Sequence, residues 1–98
     1  MKRDRRHLAR VAAIGCIVCR NEGHGTTPPE YTAIHHIRHQ AGMGRRAPDT
    51  DAIPLCAAHH QTGGHGVAFH AGKEAFEARH GTELELLAQV RKLLNEAP

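Results

Sequence analysis

The sequence predicts a small α+β domain, on three observations. The chain has 98 residues and a mass of 10.7 kDa, the size of one core. Two short stretches rich in β-branched and apolar residues, 31–38 and 52–55, lie between segments of helical patterning. Only Tyr31, Phe69 and Phe76 are aromatic and Trp is absent. A core built from such side chains is thin and calls for a staple. Ten histidines beside three cysteines make that staple a metal ion.

The elements follow in order. Asp4 caps a first helix whose apolar stripe is Leu8, Val11 and Ala12, with Gly15 as its stop. Cys16-Ile-Val-Cys19 reads as a turn, and residues 20–30, with Gly, Thr and Pro-Pro, as a loop. Residues 31–38 form a strand, residues 40–48 a basic loop, and residues 52–55 a second strand with Pro54 at its edge or end. A helical turn over CAAHHQ stops at Gly63-Gly64. A further helix runs over about residues 72–80 and ends at Gly81. Thr82-x-x-Glu85 is a capping box opening the last helix, whose core stripe is Leu86, Leu87, Val90, Leu93 and Leu94. One domain over 1–98 is expected, divided into a basic arm and helix (1–15), a motif core (16–70) and C-terminal helices (71–98).

Charge is uneven behind the net +3. Residues 1–46 carry nine Lys/Arg against three Asp/Glu, and residues 47–98 carry four against seven. A basic front half suits a polyanionic partner, because phosphate contacts supply most non-specific affinity. No apolar run reaches the roughly 18–20 residues of a membrane span. Arg10 interrupts the only stretch resembling an export signal, so a cytoplasmic location is expected. Three aromatics are too few for the stacking platforms of single-strand or RNA binders.

The cysteines suggest one closed site. Cys16-x-x-Cys19 and Cys56-x-x-His59 share a spacing and together make a Cys₃His set, a structural zinc combination. The choice of His59 over His60 rests on spacing alone. Several remaining histidines flank the two strands. His35 and His36 are neighbours on a strand, so they point to opposite sides. One can bind a second metal ion while the other faces a substrate; His60 can complete that metal site across the hairpin, and His70 or His65 can add a third nitrogen.

Around the Cys16-x-x-Cys19 knuckle, the segments AIHHI, DAIPLC and CAAHH resemble the HNH (ββα-metal, His-Me finger) endonucleases over about residues 16–70. The longer stretch from His35 to Gly81 is similar to one branch, the phage recombination-enhancement nucleases that act with the RecA recombinase filament. The resemblance implies a zinc-stapled ββα-metal domain that hydrolyses DNA phosphodiester bonds, leaving 5′-phosphate and 3′-hydroxyl ends. It implies His35, His60 and His70 as ligands of a catalytic ion, with His65 as the alternate, and His36 as general base. Asp51 stands where the family usually has Asn and would orient the base imidazole. The catalytic ion is Mg²⁺, Mn²⁺, Ni²⁺ or Zn²⁺, since an all-histidine site does not favour magnesium. Arg38, Arg45, Arg46, Lys2, Arg3, Arg5 and Arg6 would hold the DNA backbone with little sequence specificity. The alternatives are a non-catalytic zinc module on the same scaffold, binding DNA or a recombinase, and a purely structural interaction domain. Leu86 to Leu94 can pack on the domain or on another copy, which leaves the oligomeric state open.

Overall fold

The computed structural model describes residues 4–38 and 47–96. Helix α1 (Arg5–Ile14) starts where Asp4 accepts a hydrogen bond from the His7 amide at 3.1 Å. It ends at Gly15, whose φ of 79° places it in the left-handed region. A Cβ at Gly15 would also lie 2.8 Å from atoms of Thr26 and Thr27, so glycine lets this loop pack under the helix end. The CxxC segment is not a plain turn. It continues into a short helix α2 (Ile17–Asn21), because the Cys16 sulfur accepts from the Cys19 amide and serves as its cap.

Strands β1 (Thr32–His36) and β2 (Ala52–Cys56) pair antiparallel, with His35 opposite Ile53 and His36 opposite Ala52. Strand β1 is shorter than residues 31–38 because Tyr31 closes a 3₁₀ turn over Pro29–Tyr31. Pro54 fits in β2 because each strand of a two-stranded sheet has an unpaired edge. After β2 the chain makes a π-type turn, Ala58–Thr62, rather than an α-helical one. The Gly63 amide bonds back to the Ala58 carbonyl at 2.9 Å. A Cβ on Gly63 would lie 2.4 Å from that oxygen, so only glycine closes the turn without displacement.

A 3₁₀ turn (Phe69–Ala71) leads to α3 (Lys73–His80), and Gly81 separates it from α4 (Glu83–Glu96). The expected capping box is present. Thr82 Oγ1 accepts from the Glu85 amide at 3.1 Å, and Glu85 Oε1 accepts from the Thr82 amide at 2.9 Å. The core joins all layers, from Val11 and Ile17 through Ile53 and Leu55 to Phe76, Leu87 and Val90. Phe76 is the largest fully buried side chain. Polar ties close the α4 side: Arg10 donates to the Leu94 carbonyl at 2.7 Å, and the Asn21 side-chain amide donates to Gln89 at 2.9 Å. No helix among the described residues is long and apolar enough to cross a membrane.

This packing ranks two substitutions. Phe76→Ala removes the central side chain and is expected to cost about 3–5 kcal/mol. Thr82→Ala removes one half of the capping box and is expected to cost about 1 kcal/mol. Denaturant midpoints measured side by side check the order.

Candidate active site

The first cluster is the Cys₃His group. Cys16 caps α2, Cys19 lies one turn later, Cys56 ends β2 and His59 comes from the π-type turn. The Nδ1 atom of His59 lies 3.5 Å from the sulfurs of Cys16 and Cys19 and 3.2 Å from that of Cys56. The Cys19 and Cys56 sulfurs are 3.7 Å apart. A tetrahedral ion with bonds of about 2.3 Å to sulfur and 2.0–2.1 Å to nitrogen requires separations of about 3.8 Å and 3.5 Å. The four atoms therefore fit a metal ion such as zinc. The opposite ring nitrogen of His59 lies 3.2 Å from Glu22 Oε1, a carboxylate contact that favours a proton on Nε2 and a lone pair on Nδ1, toward the sulfurs. Burial pushes the Cys16 thiol up, and burial with its neighbouring thiols pushes Cys19 up to about 12. A cation bound at these sulfurs would displace their protons.

The second cluster joins His35, His60 and His70, whose candidate ligand atoms lie within 4.8 Å of one another. His35 is buried on β1, His60 follows His59 in the π-type turn, and His70 comes from the 3₁₀ turn before α3. The Nε2 atoms of His60 and His70 are 3.0 Å apart. Burial, reinforced by His70 and His35, pushes His60 down to about 4. Burial also lowers His35, although Glu83 opposes the shift. Neutral imidazoles with available lone pairs are the form a metal ion requires. The Nε2 atom of His35 is 2.7 Å from Glu83 Oε2. These three histidines line a cavity of about 450 Å³ together with His36, Arg38, Phe69, Lys73 and Glu83.

His36, the last residue of β1, is partly exposed and lines the same cavity as His35. Its Nε2 lies 2.8 Å from Asp49 Oδ1, while the second oxygen of Asp49 accepts from the Asp4 amide at 2.7 Å. A carboxylate only accepts, so the ring proton sits on Nε2 and the lone pair on Nδ1.

Asp51 therefore differs from its expected part. His36 Nε2 donates to Asp49 rather than to Asp51, whose Oδ1 accepts from Arg91 at 2.6 Å. The reason lies in the turn before β2, where the Asp51 amide bonds the Pro48 carbonyl and Asp49 occupies the second position. That fold carries Asp49 back toward β1. The Pro-Asp-Thr-Asp run is itself a turn signature, the one signal that favoured Asp49. His65 is not in the three-histidine cluster; its ring packs over Gly72, where a Cβ would meet Nδ1 at 2.9 Å. Glu22, Lys73 and Glu83 escaped the sequence reading because their partners are brought to them only by the fold. Arg38 lies exposed at the cavity, and Arg5 and Arg6 are exposed on the first turn of α1. Lys2, Arg3, Arg45 and Arg46, with most of the expected basic loop, lie outside the described residues.

The chain is a small α+β domain with two clusters able to hold metal ions, one of them lining a cavity with His36 and Glu83. A family model described as recombination enhancement, RecA-dependent nuclease matches residues 2–95, and the chain belongs to that family. No curated protein matches the chain.

The histidine shifts set a pH dependence. His35, His59 and His60 are all held below their ordinary value of 6.5, so the unfolded chain takes up protons first as the pH falls. Stability should therefore drop from about pH 6.5 toward pH 4 and be retained above that window. Thermal melts across this range check it. Cation binding at the Cys₃His group should release the protons of Cys16 and Cys19, which calorimetry in buffers of different ionisation enthalpy detects.

Proposed function

We propose that this chain is a metal-dependent DNA endonuclease of HNH type, cutting phosphodiester bonds in DNA engaged by a RecA filament. The observation that carries the reading is that the three-histidine cluster and His36 open on one cavity beside Arg38 and Lys73. Membership of the RecA-dependent nuclease family supports the substrate and partner. In this reading, zinc on Cys16, Cys19, Cys56 and His59 is structural.

His35, His60 and His70 would hold a divalent cation, which when bound would supply Lewis-acid stabilisation of the charge developing on the phosphate and the leaving oxygen. Nitrogen ligands favour Mn²⁺, Ni²⁺ or Zn²⁺ over Mg²⁺. The protein's own part begins at His36. Its Nδ1 accepts the proton of a water molecule as that water attacks phosphorus. The bond from phosphorus to the 3′ oxygen breaks, and that oxygen is protonated from solvent. Asp49 holds the ring in the required tautomer and stabilises the imidazolium as it forms. Arg38 and Lys73 take phosphate oxygens at the cavity, while Arg5 and Arg6, with Lys2, Arg3, Arg45 and Arg46, hold the flanking backbone. Such contacts follow backbone shape, so little sequence specificity is expected.

The non-catalytic alternative drew on Asp51 in place of Asn. The Asp49–His36 hydrogen bond removes that support, because the base has a carboxylate partner without Asp51.

The test is cleavage of RecA-coated and bare DNA, single- and double-stranded, across a series of divalent metals. His36→Ala should lower the rate by about 10²–10⁴-fold while the zinc content stays unchanged. Asp49→Asn should cost more activity than Asp51→Asn. Salt-dependent DNA binding with no cleavage under any metal would reject the endonuclease reading.

A further inference from the structure

Glu83 has a use that neither capping nor packing explains. It is the first residue of α4, yet its side chain turns inward and the residue is only 8 % exposed. The capping of α4 is carried by Thr82 and Glu85, and the Glu83 amide is satisfied by Glu77 Oε2 at 2.8 Å. A buried carboxylate is costly unless each oxygen is engaged. Here Oε2 lies 2.7 Å from His35 Nε2, and Oε1 lies 3.5 Å from the Lys73 ammonium.

We propose that Glu83 is a positioning residue for the three-histidine metal site, fixing His35 with its proton on Nε2 and its lone pair on Nδ1. The role rests on reading His35, His60 and His70 as a metal site. Glu83 accepts and cannot donate, so the nitrogen it touches is the protonated one. The chain contains an internal parallel. Glu22 Oε1 lies 3.2 Å from Nε2 of His59, whose Nδ1 faces the three sulfurs. The same device, a carboxylate behind an imidazole, thus stands behind one histidine of each cluster. Lys73 gives the second oxygen of Glu83 a cationic partner at the cavity mouth, so the carboxylate is held from both ends.

Removing such a carboxylate is expected to weaken metal affinity by about 10–100-fold. The experiment titrates the full chain, zinc already in its Cys₃His site, with Mn²⁺ or Ni²⁺ by calorimetry. Wild type, Glu83→Ala and Glu83→Gln are compared. Glu83→Ala should lose affinity by that factor, and Glu83→Gln, whose amide oxygen still accepts from Nε2, should recover much of it. Zinc content and melting temperature identify any variant that fails to fold, and Glu83→Gln then carries the comparison as the near-isostere. Long-range ¹⁵N spectra of the His35 ring, taken with Zn²⁺ in the second site, should show Nδ1 coordinated and Nε2 protonated. Unchanged affinity in Glu83→Ala, or coordination through Nε2, would overturn the role. Wild type taking up only one ion per chain would instead overturn the metal reading of the histidine cluster beneath it.

Discussion

The convergence of Cys16, Cys19, Cys56 and His59 is the constraint from which the rest of the structure follows. Three thiol sulfurs and an imidazole nitrogen lie within 4.8 Å of one another, an arrangement that a metal ion can hold. Two of the thiols are pushed toward their protonated forms by burial, and a cation reverses that preference. The group ties α2, the end of β2 and the π-type turn into one unit, which is what a core with a single fully buried aromatic needs. It also sets the position of His60. With His59 aimed at the sulfurs, the next residue of a tight turn leaves in another direction, toward His35 and His70.

Two adjacent histidine pairs are each split between tasks, by different geometry. On β1, His35 is buried against Glu83 whereas His36, at the strand end, is half-buried and pairs with Asp49. In the π-type turn consecutive side chains still leave the backbone in different directions, His59 toward the sulfurs and His60 toward His35 and His70. Three of these four rings then meet a carboxylate: Glu83 on His35, Asp49 on His36 and Glu22 on His59. Each carboxylate selects the nitrogen that keeps its proton and so leaves the other as a donor. The chemistry of the site thus depends on acidic residues as much as on the histidines that first draw notice.

Much of the architecture was legible in the sequence because its signals are local. Asp4, Gly15 and the Thr82–Glu85 box act within one helical turn, and the two x-x spacings bring ligands together across a single knuckle. The failures have equally physical causes. The CxxC segment became helical because a cysteine sulfur can cap a helix, a role that propensity assigns to Ser, Thr, Asp or Asn. The helical turn expected at CAAHHQ is present, and it takes the π form because Gly63 allows its amide to reach Ala58. Asp51 was chosen by position along the chain, whereas the turn geometry delivers Asp49. Glu83 is 48 residues from His35, and in the sequence it is one more acidic residue in the first turn of a helix. Tertiary carboxylate–imidazole pairs leave no periodic trace.

The division of charge gains a structural account from the same pairs. The second half of the chain has an acidic excess, yet much of it is directed inward or toward the backbone. Asp49 holds His36 and the Asp4 amide, Asp51 accepts from Arg91, Glu77 accepts from the Glu83 amide, and Glu83 holds His35. Glu85 is occupied with the Thr82 amide. The basic residues of the first half are treated differently: Arg5, Arg6 and Arg38 are exposed, while Arg10 is tied to the end of α4. The Asp4–Asp49 hydrogen bond also anchors the basic first turn of α1 to the carboxylate behind His36. A polyanion approaching that side therefore meets cations next to the imidazole, with the nearest carboxylates already engaged. The net charge of +3 understates this local field, because acids spent on orienting histidines repel an incoming phosphate less than exposed ones would.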